Sequence, residues 1–190
     1  MISRYLRING SVSVYGGVMK IVQQRYHTPE GFSDMIMYSD GEVLVGLLFE
    51  NSRDSRKFTD TEETMDLPVF EETRKWLDLY FSGQEPDFLP EYKLYGATSF
   101  RKEVSGIMRR IPYGKTITYQ DIAEEIASTR GIPRMSAQAV GQAVGWNPVC
   151  IIIPCHRVIG KDGSLTGYGG GIENKISLLT LEGIQIPHHE

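Results

Sequence analysis

The sequence of 190 residues contains only two cysteines, Cys150 and Cys155. Two cysteines are too few for a disulfide-stabilised fold, and their spacing is not that of a zinc site. Long hydrophobic runs are also absent, since the longest, residues 43–49 and 149–153, fall far short of the roughly 18 residues that a membrane span requires. The N-terminal residues MISRYLR offer no apolar core for a signal peptide. We therefore expect a cytoplasmic protein without a metal site, in which each cysteine is either reactive or buried.

The net charge of −4 is distributed unevenly along the chain. Residues 1–95 carry 10 basic and 16 acidic side chains, whereas residues 96–190 carry 10 basic and 8 acidic ones. Within residues 96–161 nine basic side chains face four acidic ones. Such a local excess of positive charge can bind phosphates, but a solvated protein surface explains the charge pattern equally well.

The first half of the chain has the pattern of a small sheet with one helix. Asp40-Gly41 separates two aliphatic runs, which predicts a hairpin because both turn residues tolerate positive φ. Apolar residues at helical spacing predict a helix from Pro68 to a stop at Gly83. The proline-containing segment that follows has no clear period, and we place the domain boundary near residue 95, which gives domains 1–95 and 96–190.

The second half is predicted to be mainly helical. Apolar residues at helical spacing predict helices over residues 100–111, 118–127, 136–144 and 172–182. Thr118 and Asp121 have the spacing of a capping box, and Ser136 can cap the next helix. The second and third helices resemble a helix-turn-helix with a long connection, although many helical pairs in ordinary cores share this pattern.

The segment between the last two helices contains the strongest candidate for chemistry. The apolar run 149–153 predicts a strand, Cys155 and His156 follow it, and six glycines lie within residues 160–171. A neighbouring imidazole or guanidinium can lower the pKa of a thiol and so favour the reactive thiolate. Cys155 is therefore a candidate nucleophile, with a buried structural cysteine as the alternative. Cys150, inside the apolar run, is expected to be buried and inert.

Three segments of the second half resemble a known family. They are TYQDIA, AVGQAVGWNPV and IPCHRVIGKDGSLTGYGGG, and residues 96–183 as a whole are similar to the O6-alkylguanine-DNA alkyltransferases, also called methylated-DNA–protein-cysteine methyltransferases. The resemblance implies an α/β (α+β) fold. In it, a small N-terminal domain with an antiparallel sheet and a helix precedes a mainly helical DNA-binding domain that carries the helix-turn-helix and the reactive cysteine.

The resemblance also implies a function and a set of catalytic residues. Cys155 would take the alkyl group from O6-alkylguanine in DNA in a single turnover that needs no cofactor, and whether O4-alkylthymine also reacts is left open. His156 would act through a water as the base that maintains the thiolate, and Glu182 would orient His156. Tyr119 would help to turn the nucleotide out of the duplex and donate its hydroxyl to the departing guanine.

The implied partner is double-stranded DNA, bound without sequence preference through its minor groove by a monomeric protein. Small residues such as Ala137 and Gly141 would let the second helix of the pair approach the groove closely. Gln138 occupies the position where the family commonly has an arginine that fills the gap left by the flipped nucleotide, and Arg134 is the alternative for that role. The residues expected to bind the guanine or to brace the site are Asn147, Val158, Tyr168 and Gly169.

Two other functions remain open at this stage. A non-enzymatic DNA-binding or lesion-recognition protein would share the helix pair but would not need Cys155. A cysteine hydrolase would use Cys155 with multiple turnovers and an oxyanion hole. His188, His189 and Glu190 are interpreted as a tail, because two neighbouring histidines without partners seldom form a metal site.

Overall fold

The computed structural model describes residues 7–8, 11–14, 17–58, 61–63, 67–165 and 167–186. The chain divides after Gly96 into two units, and each has its own buried core. No helix within the described ranges is long and apolar enough to cross a membrane. The histidines at positions 188 and 189 lie outside the described residues.

The N-terminal unit contains two sheets. Their strands are β1 (Arg7–Ile8), β2 (Ser11–Val14), β3 (Gly17–Met19), β4 (Val22–Tyr26), β5 (Met35–Ser39), β6 (Leu44–Phe49) and β7 (Glu62–Glu63). The first three strands form one antiparallel sheet in the order β1-β2-β3, and the others form a second sheet in the order β6-β5-β4-β7. The expected antiparallel sheet is therefore present, except that β7 pairs with β4 in parallel at one edge.

The hairpin predicted at Asp40-Gly41 joins β5 to β6. Gly41 has a φ of 101°, and the Asp40 carboxylate accepts hydrogen bonds from the backbone N–H groups of Glu42 and Val43 at 3.0 and 2.9 Å. The side chain closes the turn together with the backbone hydrogen bond from the N–H of Asp40 to the carbonyl of Val43 at 3.4 Å, as aspartate does at the first position of many turns. Every residue of β5 and β6 is buried, so this hairpin forms the centre of the N-terminal core.

The first helix, α1, runs from Pro68 to Phe81 and confirms the predicted helix. Proline fits the first helical position because the N–H that it lacks would have no partner there. The buried side chains on this helix are those that the spacing selected, namely Val69, Phe70, Thr73, Trp76, Leu77, Tyr80 and Phe81. Gly83, at a φ of 81°, follows the last turn as expected.

The described residues of the C-terminal unit form four α-helices and one short sheet. The helices are α2 (Ser99–Arg109), α3 (Tyr119–Arg130), α4 (Ala137–Gly145) and α5 (Ile172–Leu181), and the strands β8 (Ile117–Thr118) and β9 (Val158–Ile159) pair in parallel. The capping box is present, since Thr118 Oγ1 accepts from the N–H of Asp121 and Asp121 accepts from that of Thr118. Helix α3 continues three residues beyond its predicted end, because the first residue able to leave the helix in a left-handed conformation is Gly131, at a φ of 63°.

The predicted strand at residues 149–153 is wrong. These five residues are buried, but they form a tight turn in which a bridge joins Cys150 to Ile153. The N–H of Ile152 donates to the carbonyl of Cys150 at 2.8 Å, and Ile151 has a φ of 67°, which no strand residue adopts. The apolar composition of the run reflects its burial and not an extended conformation.

The predicted apolar face of α5 is partly wrong. Leu178 and Leu179 are buried as expected, but Ile172 and Ile176 are 43% and 38% exposed. The buried face instead contains two polar residues, Asn174 and Lys175, which precede the leucines by three to five positions. Helix α5 therefore presents polar side chains, and not only aliphatic ones, to the interior of the unit.

Candidate active site

Cys155 begins a single 3₁₀ turn formed by residues 155–157, directly before β9. Its N–H donates to the carbonyl of Ile153 at 2.8 Å, so the turn at residues 149–153 holds the cysteine backbone in place. Cys155 is 6% exposed and His156 is completely buried. The thiol is thus fixed at a shallow depth below the protein surface.

Asn147 connects the buried turn to the thiol. Its Nδ2 donates to the carbonyl of Ile153 at 2.8 Å and lies 3.0 Å from Sγ of Cys155, while its Oδ1 accepts from the N–H of Val149 at 3.0 Å. One buried amide therefore holds both ends of the turn and also directs an N–H at the sulfur. Hydrogen bonding to an ionised acceptor is stronger than to a neutral one, so this contact favours the thiolate form of Cys155.

His156 and Glu182 form a buried pair behind the cysteine. Nε2 of His156 lies 2.8 Å from Oε1 of Glu182, which is the residue that ends α5. Burial lowers the pKa of His156 below its ordinary value, although the Glu182 carboxylate opposes this effect. The ring is therefore neutral at pH 7. Because a carboxylate only accepts hydrogen bonds, the ring proton resides on Nε2, and Nδ1 carries a basic lone pair.

Arg157 holds Glu182 from a second side. Its guanidinium donates to both carboxylate oxygens of Glu182 at 2.9 to 3.1 Å and to the carbonyl of Ile111 at 2.7 Å. The N–H of Gly114 also donates to Glu182, at 3.1 Å. The hydrogen bonds from His156 and Arg157 outweigh the effect of burial and lower the pKa of Glu182 to about 2. Arg157 therefore fixes the carboxylate that faces His156.

Tyr119 is the first residue of α3 and is half-buried. Its ring lies beside Gly141 of α4, where an added Cβ would be 3.8 Å from the ring. Burial raises the pKa of Tyr119 above its ordinary value, and the charge of Cys155 raises it further. The phenol therefore keeps its proton at neutral pH and is available as a donor close to Cys155.

Val158 and Tyr168 lie beside a buried lysine that sequence reasoning missed, and Gly169, next to Tyr168 in the chain, is buried. Val158 is buried in β9, and its carbonyl accepts a hydrogen bond from Nζ of Lys175 at 2.6 Å. The same Nζ is 5.9 Å from the ring centre of the half-buried Tyr168. Lys175 lies three positions before Leu178 and four positions before Leu179. This spacing places Lys175 on the same face of the helix as the two leucines, which is the signal available in the sequence.

The residues expected to face DNA are mostly at the surface. Gln138 is exposed on the first turn of α4, while Ala137 and Gly141 are half-buried. Arg134 is exposed but precedes the helix, in the connection between α3 and α4. In contrast to the side chains around Cys155, those of Gln138 and Arg134 are open to solvent.

Part of the positive charge of residues 96–161 is paired within the C-terminal unit. Arg110 pairs with Glu125, Arg130 pairs with Glu103 at 2.5 Å, and Arg157 is buried against Glu182. Three of the nine basic residues are thus neutralised within the unit. The described residues also contain no group of three His, Cys, Asp or Glu side chains that could hold a metal ion.

Comparison with known proteins identifies the family. Residues 99–184 match the family model described as 6-O-methylguanine DNA methyltransferase, DNA binding domain, and residues 26–90 match its ribonuclease-like domain. A methylated-DNA–protein-cysteine methyltransferase of Haemophilus influenzae is 37% identical over 163 residues, which cover 84% of this chain and 87% of that protein. A protein of the same name from Mycobacterium bovis is 46% identical over 148 residues, which cover 77% of this chain and 84% of that protein.

Solved structures agree with this assignment. Crystal structures of Mycobacterium tuberculosis O6-methylguanine methyltransferase and of Mycobacterium tuberculosis OGT in complex with DNA have TM-scores of 0.69 and 0.68. Each is 37% identical to this chain in sequence. The matches cover 85% and 86% of this chain, and 92% of each solved chain. The chain therefore belongs to the 6-O-methylguanine DNA methyltransferase family and repairs DNA by transferring an alkyl group to a cysteine.

Proposed function

We propose that Cys155 is the cysteine that accepts the alkyl group, and that O6-alkylguanine in double-stranded DNA is the substrate. The observation that carries this proposal is the arrangement of polar groups at one of the two cysteines. Cys155 has the Asn147 amide 3.0 Å from its sulfur and the buried His156–Glu182 pair directly behind it. Cys150, by comparison, is completely buried within the apolar turn.

The reaction begins with formation of the thiolate. Nδ1 of His156 takes the thiol proton through a water, and the Glu182 carboxylate stabilises the imidazolium that forms. The sulfur then attacks the alkyl carbon, so that the S–C bond forms as the bond from carbon to O6 breaks. The electron pair of the broken bond goes to the guanine, which receives a proton from the hydroxyl of Tyr119, and the thiol proton held by His156 then restores that hydroxyl through water. The product is an S-alkylcysteine, and the protein reacts once.

The shallow burial of Cys155 requires the damaged nucleotide to leave the helix. O6 of a stacked and paired guanine cannot approach a sulfur that is only 6% exposed, so the base is turned out of the duplex into the site. The carbonyl of Val158 and the loop at Tyr168 and Gly169 line the site from β9 and from the segment before α5. Their backbone groups bind the edge of the guanine.

The duplex approaches through its minor groove against α4. Ala137 and Gly141 present little bulk on this helix, which permits close contact without reading a base sequence. Gln138, exposed on the first turn, fills the gap left by the flipped nucleotide, with Arg134 as the alternative. Binding is therefore independent of sequence, and the 96–190 domain carries it.

One thiol per chain suffices for this chemistry. The protein therefore acts as a monomer and without a cofactor, and we place it in the cytoplasm. The N-terminal domain, residues 1–95, supplies none of the groups named in the reaction.

The proposal is tested by comparing two cysteine variants with the unmodified protein. After mixing with a duplex oligonucleotide that contains O6-methylguanine, intact-mass spectrometry should show a gain of one methylene in the unmodified protein and in Cys150→Ser. Cys155→Ser should gain nothing and still bind the duplex, because the groove-facing residues are unchanged. Methylation of Cys155→Ser, or repeated turnover by the unmodified protein, would contradict the proposal.

A further inference from the structure

Lys175 is completely buried on the inner face of α5. Lysine is among the residues least often found in a protein interior, because its ammonium group loses hydration there. The one hydrogen bond that Nζ makes to a described residue goes to the carbonyl of Val158, at 2.6 Å. A carbonyl supplies a partial negative charge only, so the full charge of the ammonium is not balanced by this contact.

The nearby carboxylate does not balance Lys175 either. Among the residues that the structure describes, none of the ion pairs includes Lys175. Glu182 is the buried acid of this region, and its two oxygens are occupied by Arg157, His156 and the N–H of Gly114. The charges of Arg157 and Glu182 therefore cancel each other and leave the ammonium of Lys175 as an additional positive charge.

Cys155 is the group near Lys175 that can supply a negative charge, as a thiolate. Helix α5 packs against the 3₁₀ turn that begins with Cys155, and Val158, to which Lys175 is bound, follows that turn directly. Burial lowers the pKa of Lys175 to about 8, and the one nearby charge that raises it is that of Cys155. Apart from the paired Arg157 and Glu182, the other titratable groups at the site are neutral at pH 7, since His156 has a lowered pKa and Tyr119 a raised one.

We propose that Lys175 is the buried counterion of the Cys155 thiolate. It is a positioning residue that acts on the nucleophile and does not contact the alkyl group. The proton of the thiol leaves through His156, and the ammonium of Lys175 then holds the thiolate in a site that excludes water. This inference rests on Cys155 being the acceptor, and it adds to the His156–Glu182 pair and the Asn147 amide a further reason for the thiolate to form at neutral pH.

The proposal makes the ionisation of the two residues interdependent. Removal of the positive charge raises the pKa of the Cys155 thiol, and removal of the thiolate lowers the pKa of the Lys175 ammonium. A lysine that only fills space beneath β9 would produce neither effect. Its replacement would instead change the reaction rate by the same factor at every pH.

The first test measures how the reactivity of Cys155 toward iodoacetamide depends on pH, with peptide mass spectrometry to separate Cys155 from Cys150. Lys175→Met keeps the length of the side chain but removes its charge, and Lys161→Met, at an exposed lysine of the same unit, is the matched control. We expect Lys175→Met to raise the midpoint of the profile by one unit or more, which makes alkylation about tenfold slower at pH 7. At a pH above both midpoints the rates should converge. A midpoint equal to that of Lys161→Met would overturn the proposal.

The second test needs no substitution at Lys175 and so remains informative if Lys175→Met fails to fold. The ammonium of Lys175 is titrated by NMR, through the methylene carbon next to Nζ, in the unmodified protein and in Cys155→Ala. We expect its midpoint to fall by one unit or more in Cys155→Ala, and an unchanged midpoint would overturn the proposal. Neither test uses DNA, so methylation at another residue would refute the proposed function without affecting these readouts.

Discussion

Replacement of Glu182 by glutamine should destabilise the C-terminal unit strongly at neutral pH. The carboxylate accepts hydrogen bonds from His156, from Arg157 and from the N–H of Gly114, and it neutralises the buried guanidinium. Glutamine has the same shape but only one accepting oxygen, and its NH₂ group would face other donors. Glu182→Gln therefore leaves Arg157 buried without a counter-charge, in addition to the loss of hydrogen bonds.

The magnitude follows from the pKa of Glu182. Folding lowers it from an ordinary value of 4.5 to about 2. At about 1.4 kcal/mol for each pKa unit, this difference contributes about 3 kcal/mol to the free energy of unfolding at pH 7. Removal of one member of a buried ion pair typically costs about 3–5 kcal/mol, which agrees with this figure. Because the folded-state pKa is the lower one, the contribution is complete above pH 4.5 and is lost as the pH falls toward 2.

The sequence provides a way to observe this unit separately. Its two tryptophans are Trp76 on α1 in the N-terminal unit and Trp146 after α4 in the C-terminal unit. In a Trp76→Phe background, the fluorescence of Trp146 reports urea unfolding of the C-terminal unit alone. We expect Glu182→Gln to lower the free energy of unfolding by about 3 kcal/mol at pH 7, and the difference should shrink as the pH is lowered below 4.5.

A matched control is available at an exposed carboxylate. Glu125 pairs with Arg110 on the surface of the same unit, and Glu125→Gln should cost less than about 1 kcal/mol because exposed ion pairs contribute little. A loss below about 1 kcal/mol for Glu182→Gln itself, or a loss that is independent of pH between 7 and 3, would refute the electrostatic reasoning.

Two further predictions concern DNA. Gln138→Ala should slow repair of a duplex by roughly tenfold, since the lost stacking and hydrogen bond cost on the order of 1–2 kcal/mol, and should leave the reaction with free O6-benzylguanine unchanged. If Arg134→Ala has this effect and Gln138→Ala does not, the role belongs to Arg134. Duplex affinity should fall with salt at a log–log slope shallower than about −5, because six basic residues of 96–161 remain besides the three in the ion pairs named above, and each releases at most about 0.9 counterion. A steeper slope, or an affinity that does not depend on salt, would contradict the assignment of the DNA face to these basic residues.

Local sequence signals predicted the helices well because each helix carries its own start and stop. The capping box at Thr118 and Asp121 satisfies backbone N–H groups within its own turn, and the proline at the first position of α1 has no N–H to satisfy. No tertiary information is therefore needed to place these helix starts. The hairpin at Asp40-Gly41 belongs to the same class. The four-residue connection that it forms uses the Asp40 carboxylate and the positive φ of Gly41.

Features that depend on distant partners were not predictable in this way. The run at 149–153 folds into a turn because Asn147 binds the carbonyls of Val149 and Ile153, and composition does not reveal such a contact. The buried position of Lys175 depends on Val158, 17 residues earlier in the chain. Arg157 reaches Glu182 and Ile111, 25 and 46 positions away. The resemblance to the family suggested roles for Cys155, His156 and Glu182, but the network that surrounds them is visible only in three dimensions.

The identity of the methylated residue is the most direct test of the central claim. A duplex that carries one O6-methylguanine with an isotopically labelled methyl group is mixed with an equal amount of the unmodified protein, and the peptide that contains both cysteines is fragmented by tandem mass spectrometry. We expect one labelled methyl group per chain, bound to the sulfur of Cys155, and none on Cys150. A label on Cys150, or a label on neither cysteine while the lesion disappears, would contradict the account.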